Sequence, residues 1–383
     1  MTALSWRTAG ESHGKTLIGM LEGLPAGLPL DEERINGELL RRQGGYGRGG
    51  RMKIEQDRVN LLSGIKGGVT LGTPLAFEVP NRDRTLDELP DPTSPRPGHA
   101  DLAGCWKYEH LDARAVLERA SARETAARVA AGSIARQVLE SFGVRIFAHV
   151  VALGPVLAKN EPWKGDLPLE MRQKSPFYCL DSGADRAMKQ AVDDASDRGD
   201  TLGGVFEVRV LGLPPGLGSY GQGADRLTST LGAALFSIPA IKGVEFGLGF
   251  ESAGLPGSQV HDSIVPAQGG GGSAGSSKFA RGSNRAGGLE GGLTNGEALV
   301  VRAAMKPIST LRQGLPSVSF GTGQAEEATY QRSDVTAVPA ASVVGEALVA
   351  LELCRAFLAK FGGDSMVSVR SEFSRHMVRV RDL

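Results

Sequence analysis

The chain contains 383 residues, and its 53 glycines and 20 prolines make up roughly a fifth of it, against about 12% in an average protein. The hydrophobic fraction of 41% and the charged fraction of 22% are typical of a folded globular protein with a large core, which excludes collagen and disordered chains. Lysine plus arginine equals aspartate plus glutamate at 43 each. The net charge of zero therefore provides no global attraction for nucleic acid or a membrane surface, and any anion site must be local.

The N-terminal sequence and the cysteines bear on the compartment. No apolar run reaches the length of a membrane span, and the beginning, MTALSWRTAGESHG, lacks the basic and then apolar regions of a signal peptide. We therefore expect a cytoplasmic protein. Cys105, Cys179 and Cys354 lie far apart and in no CxxC pair, so we expect reduced, buried or half-buried thiols rather than disulfides or zinc ligands.

Apolar periodicity and turn residues predict an α+β protein in which strands alternate with helices in both halves of the chain. The predicted strands cover residues 17–21, 59–62, 75–79, 144–153, 203–211, 242–248 and 298–304. The predicted helices cover residues 31–43, 112–142, 184–197, 224–236 and 340–361. Residues 268–292 are so rich in glycine that we expect a loop without regular structure. Strand-helix-strand units in both halves permit an internal pseudo-duplication, although no sequence repeat accompanies it.

The helix predicted over 112–142 carries several arginines. Arg119 and Arg123 are four residues apart, so both would project from one helix face and could bind an anion. The alternative is a solvated face on which the arginines pair with Glu118 and Glu124. The many alanines of this segment would let another helix or a flat ligand approach closely.

Two glycine motifs match nucleotide-binding patterns but lie in the wrong context. Residues 9–16, AGESHGKT, fit a relaxed P-loop, yet the next segment is too short and too glycine-rich for the helix that a P-loop requires. Residues 45–50, GYGRGG, fit G-x-G-x-x-G but follow a predicted helix rather than a strand. We therefore expect neither a nucleoside triphosphate nor a dinucleotide at these motifs.

The segment 41–57 concentrates positive charge in a glycine-rich loop. Its charged residues are Arg41, Arg42, Arg48, Arg51, Lys53, Glu55 and Asp57. Arginine binds phosphate and carboxylate with paired N–H groups, and glycine lets backbone N–H groups approach a ligand, so the segment predicts an anion site. The alternatives are a solvated basic loop and an RNA contact of the RGG type. In this segment, 41–57, which we call the Arg-Gly loop, Tyr46 is the one aromatic ring on which an RNA base could stack.

Two histidines in glycine-bounded turns are candidates for proton transfer. His13 lies within GESHG, and His99 follows Pro97-Gly98. A tight turn would expose each imidazole, as a proton carrier requires. A loop histidine more often has no special role, but these two have potential anion-binding arginines nearby in the sequence. No H-x-H or H-x-x-H spacing indicates a metal, and we expect none.

A last polar cluster lies in the C-terminal third, at Lys306–Thr310 and around Asp334. Serine, threonine and lysine around Pro307 can donate hydrogen bonds to a phosphate or to the edge of a heterocycle. Asp334 follows Arg332 and precedes a predicted helix. It could be an ionised base or relay, and a salt-bridged helix cap is an equal alternative.

Taken together, these segments resemble the chorismate synthase family over nearly the whole chain. The resemblance rests on GESHG at 10–14, RRQGGYGRGGRMKIEQD at 41–57, RPGHAD at 96–101, ERASARETAARVAAG at 118–132, GSQVHD at 257–262 and RSDVTAVPA at 332–340. It implies a β-α-β sandwich of antiparallel sheets packed around long helices, formed by one catalytic domain over residues 1–383 and assembled as a homotetramer. Loops at about 41–57 and 268–292 would be mobile, the second as a lid over the active site.

The resemblance implies the conversion of 5-enolpyruvylshikimate 3-phosphate to chorismate, an anti 1,4-elimination of phosphate that needs reduced FMN although no net oxidation occurs. NADPH would act only indirectly, as the source of reduced flavin. An external flavin reductase is expected, because the extra segments of the bifunctional fungal members are absent. A non-catalytic anion-binding or RNA-binding protein that uses the Arg-Gly loop is the alternative from another class.

The resemblance also implies a role for each candidate residue. The residues expected to hold the anionic groups of the substrate are Arg42, Arg48, Arg51, Arg96, Arg123 and Arg332. The residues expected to contact FMN are Arg119, Ala120, Ser121, Pro239, Ala240, Gly291, Lys306, Pro307, Ile308, Ser309, Thr310 and Arg332. His13 and His99 would be acids, one toward the leaving phosphate and one toward the flavin, and Asp334 would take a proton at flavin N5.

Overall fold

A computed structural model of the chain describes residues 4–49, 55–159, 167–267, 277–328 and 334–383. The helices are α1 (Glu32–Gln43), α2 (Asp101–Tyr108), α3 (Arg114–Ala120), α4 (Thr125–Glu140), α5 (Leu169–Lys174), α6 (Ser182–Asp197), α7 (Leu227–Phe236), α8 (Gly257–Val260), α9 (Val338–Phe361) and α10 (Met366–Asp382). The strands are β1 (Ser5–Ala9), β2 (Thr16–Glu22), β3 (Asn60–Leu61), β4 (Ile65–Lys66), β5 (Val69–Thr70), β6 (Leu75–Pro80), β7 (Arg145–Leu153), β8 (Val156–Leu157), β9 (Gly204–Leu211), β10 (Ile241–Phe246), β11 (Ile264–Pro266), β12 (Phe279–Arg281), β13 (Leu289–Glu290), β14 (Leu293–Thr294), β15 (Leu299–Met305), β16 (Pro316–Val318) and β17 (Ala325–Glu327).

Two antiparallel sheets form the outer layers of the fold. The strand order is β1-β2-β6-β3 in the first sheet and β10-β15-β9-β7-β8 in the second. On β2, Leu17 and Leu21 are fully buried while Ile18 and Met20 between them are exposed. This alternation is typical of a sheet that packs one face on the core and turns the other to solvent.

Long helices fill the layer between the sheets. α4 packs against β1, β2 and β6 of the first sheet, α9 packs against β7 and β9 of the second, and the two helices pack on each other with α1 and α7 beside them. Nearly all of α9 is buried, as expected for a helix with neighbours on every side. The predicted α+β class and the β-α-β sandwich are confirmed. In the part of the chain described, each helix is too short or too polar to cross a bilayer.

The two halves repeat one topology. Each runs through two strands, a helix, two strands and a helix: β1-β2-α1-β3-β6-α4 in the first half and β7-β9-α7-β10-β15-α9 in the second, once the remaining elements are set aside, among them the 16-residue α6 and the edge strand β8. Corresponding strands also hold corresponding places, because β1-β2-β6-β3 matches β7-β9-β15-β10 position by position. The pseudo-duplication that the sequence permitted is present in the topology.

The prediction of a single helix over 112–142 is wrong, because the helix is interrupted at Ser121. α3 ends there, Ser121 is extended at φ −68° and ψ 144°, and its hydroxyl accepts a hydrogen bond from the backbone N of Arg123. A short 3-10 turn then leads into α4. Arg119 and Arg123 therefore do not share a helix face: Arg119 is exposed and Arg123 is buried. Serine competes with helical hydrogen bonding through such local bonds.

The expectation of an unstructured loop over 268–292 is also wrong in part. Residues 268–276 lie outside the described residues, but β12 and β13 fall within the remainder. β12 pairs with β11, and β13 pairs with β14. Gly287 and Gly288 adopt φ of 64° and 82°, so glycine serves here to turn the chain between short strands.

Helix α10 was not predicted from the sequence. Ser365 caps its N-terminus by accepting a hydrogen bond from the backbone N of Ser368, and Met366 and Val369 are buried. The cap followed by apolar residues at 366, 369 and 373 is the signal that would have revealed it.

The cysteine expectation is confirmed. Cys105, Cys179 and Cys354 are free and buried. Burial raises the pKa of the Cys179 thiol to about 11. These thiols are therefore protonated and unreactive near neutral pH.

We predict that Gly132→Ala destabilises the fold. A Cβ at Gly132 would collide with the backbone and Cβ of Ala347, where α4 crosses α9. The substitution should lower the free energy of unfolding by about 1–3 kcal/mol, the usual cost of overpacking, as measured by urea denaturation.

Gly37→Ala in α1 is the matched control, because a Cβ there has nothing of the described chain within 4 Å. It should raise stability by roughly 0.5–1 kcal/mol through helix propensity. Equal effects of the two substitutions would contradict the close crossing.

Candidate active site

His13 lies in the turn between β1 and β2, where a buried carboxylate holds it. Its backbone N donates to Oε2 of Glu118 at 2.8 Å, and its ring Nδ1 lies 2.9 Å from Oε1. Burial would raise the pKa of Glu118, but hydrogen bonds from His13 and Arg114 hold it below its ordinary value. The ionised carboxylate accepts a hydrogen bond from Nδ1–H, which leaves Nε2 of His13 as the atom for proton exchange.

The turn that carries His13 does not form a P-loop, as expected, but it exposes the imidazole less than expected. Strand β2 follows the turn, so the helix required by a P-loop is absent here and no P-loop is formed. The His13 side chain is 18% exposed, which is less than a glycine-bounded turn suggested. Nε2 of His13 faces Asp83, whose Oδ2 is 3.8 Å away.

Asn81, at the end of β6, joins the His13 turn to a buried arginine. Its Nδ2 donates to the carbonyl oxygens of Glu11 at 3.2 Å and Gly14 at 2.8 Å. Its Oδ1 accepts a hydrogen bond from Nε of Arg123 at 2.8 Å. Asn81 is fully buried, so it fixes the distance between His13 and Arg123.

Arg42 and Arg123 converge on one carboxylate, that of Asp57. Nη2 of Arg42 donates to Oδ2 at 2.9 Å and Nη1 of Arg123 donates to Oδ1 at 2.5 Å. All three side chains are buried. Burial lowers the pKa of Arg42, as do the positive charges of Arg123 and Arg48, while Asp57 raises it. This arginine site, defined by Arg42, Asp57 and Arg123, therefore stabilises further negative charge.

Two N–H groups of the arginine site are buried without an acceptor among the described residues. They are Nε of Arg42 and Nη2 of Arg123; the nearest carboxylate oxygen of Glu55 lies 3.7 Å from Nη2. A buried unsatisfied donor costs about 1–3 kcal/mol and calls for an explanation. An anionic ligand that accepts these hydrogen bonds provides one.

Arg48 pairs with Asp334 at the start of the segment that leads into α9. Nη1 of Arg48 lies 2.7 Å from Oδ2 of Asp334, and the backbone N of Gly49 donates to Oδ1 at 2.5 Å. The N-cap residue of α9 is Ala337, which offers no side-chain cap, and Oγ1 of Thr336 accepts a hydrogen bond from the backbone N of Val338 at 3.4 Å. Asp334 therefore forms a salt bridge to the Arg-Gly loop rather than a helix cap.

His99 belongs to a second cluster, built on the turn RPGHAD. Its Nδ1 lies 2.5 Å from Oδ1 of Asp101, and Nη2 of Arg96 lies 3.0 Å from Oδ1 of the same carboxylate. Burial would raise the pKa of Asp101, but hydrogen bonds from His99 and Arg96 hold it well below its usual range. Gly98 makes the turn with φ 75°. The charge of Arg96 is thus engaged by Asp101, and the His99 ring is held through Nδ1.

The segment 306–310 packs against the His99 turn. Nζ of Lys306 donates to the carbonyl of Gly98 at 3.0 Å, and Nη1 of Arg96 donates to Oγ1 of Thr310 at 3.1 Å. Burial lowers the pKa of Lys306, and the nearby Lys242 lowers it further. The structure therefore brings together two segments that are far apart in the sequence, since Lys306 and Gly98 are separated by 208 positions.

Ala240 joins the same cluster through its backbone. Its φ is 70°, a left-handed value that is uncommon for alanine, and its carbonyl accepts a hydrogen bond from the backbone N of Lys306 at 2.9 Å. Arg128 of α4 reaches the adjoining turn, where its Nη1 donates to Oγ of Ser237 at 2.8 Å. The hydrogen bond between Lys306 and Ala240 thus places residues 239–240 directly beside Lys306.

Not all of the residues expected to share a site come together. Arg119 donates from its guanidinium to the carbonyls of Thr8 and Gly10 at the surface. Ser121 lies beside the His13 turn, 3.1 Å from Oγ of Ser12. Gly291 lies in the turn between β13 and β14, near the start of α7, while Pro239 follows its end. Arg51 and Arg332 lie outside the described residues.

Glu118, Asn81, Asp57 and Asp101 support the predicted residues, and sequence reasoning assigned none of them a function. Asp101 and Asp57 stood within the quoted motifs, and Glu118 was considered only as a surface partner of helical arginines. A buried carboxylate next to a candidate histidine or arginine could have been suspected from these motifs. Asn81 follows Pro80 with no comparable signal.

This arrangement suits acid catalysis on an anionic substrate. Each imidazole has Nδ1 on an ionised carboxylate, which fixes the ring. Nε2 of His13 is thereby presented for proton transfer, whereas Nε2 of His99 also lies 3.3 Å from Nη2 of Arg96. His13 adjoins the arginine site through Asn81, whereas His99 adjoins the ammonium and hydroxyl groups of residues 306–310. Fixed positive charge in a buried site stabilises developing negative charge on a leaving group.

Comparisons with known proteins agree along the whole chain. A protein-family model described as chorismate synthase matches residues 4–358. A chorismate synthase of Desulforudis audaxviator is 52% identical over 99% of this chain and 98% of its own, and one of Pelobacter propionicus is 50% identical over 99% and 100%. A crystal structure of a chorismate synthase, 41% identical, superimposes with a TM-score of 0.81 and covers 100% of both chains.

We predict that Asp57→Asn destabilises the protein by roughly 3 kcal/mol near pH 7, because it leaves Arg42 buried without its counter-charge and Arg123 with only the carboxylate of Glu55, 3.7 Å from Nη2. Both arginines hold the pKa of Asp57 below its ordinary value despite burial. The carboxylate therefore stabilises the fold above the unfolded pKa of about 4, and this contribution is lost as the pH falls toward the folded value.

The measurement is urea denaturation of both proteins over a range of pH. The stability difference should narrow below about pH 4. Asp91→Asn, at an exposed position, is the control and should change stability little at any pH. A difference that stays constant with pH would contradict the ionised pairing.

Proposed function

The chain belongs to the chorismate synthase family, and on that premise we propose that it eliminates phosphate from 5-enolpyruvylshikimate 3-phosphate to give chorismate. In this anti 1,4-elimination the carbon–oxygen bond to phosphate breaks, a ring proton is lost, and no net oxidation occurs. The proposal includes a requirement for reduced FMN. The observation that carries the proposed elimination is that Nε of Arg42 and Nη2 of Arg123 are buried with no hydrogen-bond acceptor among the described residues.

The arginine site suits a substrate with one phosphate and two carboxylates on a small ring. Asp57 accepts hydrogen bonds from both Arg42 and Arg123, and the carboxylate of Glu55 lies 3.7 Å from Nη2 of Arg123. A bound anion would complete the hydrogen bonding of the two arginines. Arginine also keeps its charge when buried, unlike lysine. Arg48 would close from the Arg-Gly loop, and we propose that Arg51, Arg96 and Arg332 complete the set.

The residues around Lys306 suit the phosphate end of FMN. A half-buried ammonium and the hydroxyls of Ser309 and Thr310 lie on one short segment, and such donors are those that bind a phosphate monoester. We propose that FMN contacts residues 306–310, Pro239, Ala240, Gly291, Arg332 and residues 119–121. When bound, reduced flavin would supply electron density that stabilises an electron-poor transition state.

The placement of the two histidines suggests how the acid roles divide. His13, joined to the arginine site through Asn81, would donate the Nε2 proton to the departing phosphate. His99, joined to Lys306 through Gly98, would hold a proton toward the flavin. Asp334 would take a proton at flavin N5. Protonating the phosphate oxygen makes it a better leaving group.

The wider assignment follows the family. We propose a homotetramer in the cytoplasm, formed from a single catalytic domain, that binds neither nucleic acid nor membrane. Reduced flavin would come from an external reductase, with NADPH as the indirect electron source. We further propose that the Arg-Gly loop and residues 268–292 close over the bound ligands, which would keep oxygen and water from the reduced flavin.

The proposal is tested by incubating the purified protein anaerobically with 5-enolpyruvylshikimate 3-phosphate and dithionite-reduced FMN. We expect the ultraviolet absorbance of chorismate and one phosphate released per chorismate, whereas oxidised FMN should support no turnover. If no chorismate forms and the protein instead binds single-stranded RNA with a salt-dependent affinity, the non-catalytic alternative is correct.

We predict that His13→Gln and His99→Gln each reduce kcat by roughly 100-fold to 10,000-fold, the usual contribution of a general acid. Glutamine can still donate a hydrogen bond, so substrate KM should change little. Single-turnover rates with prereduced FMN measure the chemical step. The control is His261→Gln, in a loop remote from both clusters in sequence and without an assigned role, and it should behave as the wild type. Either variant at full rate would remove that histidine from the mechanism.

A further inference from the structure

The turn between α5 and α6, residues 175–179, contains an unusual backbone conformation. Tyr178 has φ 59°, in the left-handed region. An aromatic residue in this region is an outlier that costs free energy and persists only when its surroundings hold it. We call residues 175–179 the clamp turn. None of its residues was considered as part of the site from the sequence.

Hydrogen bonds within the clamp turn stabilise this conformation. Oγ of Ser175 accepts from the backbone N of Phe177 at 3.1 Å and of Cys179 at 2.9 Å, and it donates to Asp185 at 2.6 Å. The carbonyl of Tyr178 accepts from the backbone N of Val150 in β7 at 3.0 Å. The clamp turn is thereby joined to the second sheet.

The clamp turn binds both ends of the connection between α1 and the Arg-Gly loop. Oη of Tyr178 donates to the carbonyl of Arg41 at 2.7 Å, and the carbonyl of Pro176 accepts from the backbone N of Tyr46 at 2.8 Å. Arg42 of the arginine site lies between these two points in the sequence, and Arg48 follows closely.

Arg41 is also held by its side chain. Its Nη2 lies 2.8 Å from Oε2 of Glu346, a carboxylate that is almost completely buried in α9. Arg136 and Arg172 donate to the same carboxylate. Arg41 is therefore held twice, at its side chain by Glu346 and at its backbone carbonyl by the hydroxyl of Tyr178. Together these contacts restrict movement of the C-terminal end of α1.

Gly44 provides the room that the tyrosine hydroxyl needs. A Cβ at Gly44 would collide with Oη of Tyr178, whereas the ring carbon Cζ would be 3.6 Å away. Gly44 has φ −75°, which any residue adopts, so its requirement for glycine is steric. Tyr178 and Gly44 are thus complementary in shape.

We propose that Tyr178 is a positioning residue, which holds the end of α1 so that Arg42 and Arg48 meet the anionic groups of the substrate in the correct geometry. The inference rests on the proposed function for the identity of the substrate. The strained backbone of Tyr178 places its hydroxyl on the Arg41 carbonyl, and Gly44 keeps that contact open.

Tyr178→Phe tests the role of the hydroxyl, because it removes one hydrogen bond and leaves the ring in place. We expect KM for 5-enolpyruvylshikimate 3-phosphate to rise about fivefold, the loss of one hydrogen bond, with kcat within about twofold. Tyr220→Phe, at an exposed tyrosine, is the matched control and should leave both constants unchanged. Unchanged KM in Tyr178→Phe, or a fall in thermal stability alone, would overturn the proposal.

Gly44→Ala tests the same contact from the other side. In the wild type it should raise KM at least as much as Tyr178→Phe, because the added methyl group displaces the hydroxyl. In a Tyr178→Phe background it should add little, because no hydroxyl remains to collide with. The two effects are therefore expected to be strongly non-additive. Additive effects would show that Gly44 and Tyr178 act independently and would overturn the proposal.

Amide hydrogen exchange separates this inference from the proposed function. Peptides covering residues 41–49 should exchange about fivefold faster in Tyr178→Phe than in the wild type, since the loop opens more often, and Tyr220→Phe should leave them unchanged. If the wild type forms no chorismate, the proposed function fails while the exchange still decides whether Tyr178 clamps the loop. Equal exchange rates over residues 41–49 in Tyr178→Phe and the wild type would overturn the proposed role of Tyr178, whether or not the protein forms chorismate.

Discussion

The close crossing of α4 and α9 is the constraint on which the rest of the structure depends. Gly132 lets the two helices approach at Ala347, and each helix supports one of the two sheets. The crossing also places the site, because Arg123 directly precedes α4 and Asp334 shortly precedes α9. A larger residue at the crossing would separate the layers and move both helix ends. Core packing and site geometry are therefore set by the same contact.

A second constraint is that a carboxylate pairs with most of the charged or titratable groups of the site that the structure describes, whereas Lys306 and Arg119 donate to backbone carbonyls instead. The pairs are Glu118 with His13, Asp101 with His99, Asp57 with Arg42 and Arg123, Asp334 with Arg48, and Glu346 with Arg41. Most of these carboxylates are buried, where an unpaired charge would be costly. These carboxylates offset only part of the positive charge, because Asp57 faces two arginines and Glu346 faces three. The pairing also fixes the direction in which each imidazole or guanidinium can act.

The sequence was most informative where a structural signal is local. Asp31 caps α1 with its side chain, and the helix ends at Gly44, just before Gly45 turns the chain with φ 101°. The break at Ser121 could not be predicted in this way, because serine is tolerated within helices. The local hydrogen bond between Ser121 and Arg123 is accompanied there by two long-range contacts, of Ser121 with Ser12 and of Arg123 with Asn81. Both long-range partners lie far away in the chain.

By itself, the sequence determined the α+β class, seven of the nine strands of the two main sheets, the helices α1, α6, α7 and α9, the motifs of the chorismate synthase family and the two histidines in turns. Only the tertiary structure decided which carboxylate holds each histidine, that Arg42 and Arg123 share Asp57, and that Tyr178 reaches Arg41. The reason is physical: capping, periodicity and turn formation depend on neighbouring residues, whereas His13 and Glu118 are 105 positions apart and meet only once α3 packs beside the first sheet. Such long-range pairs are fixed by the packing of layers.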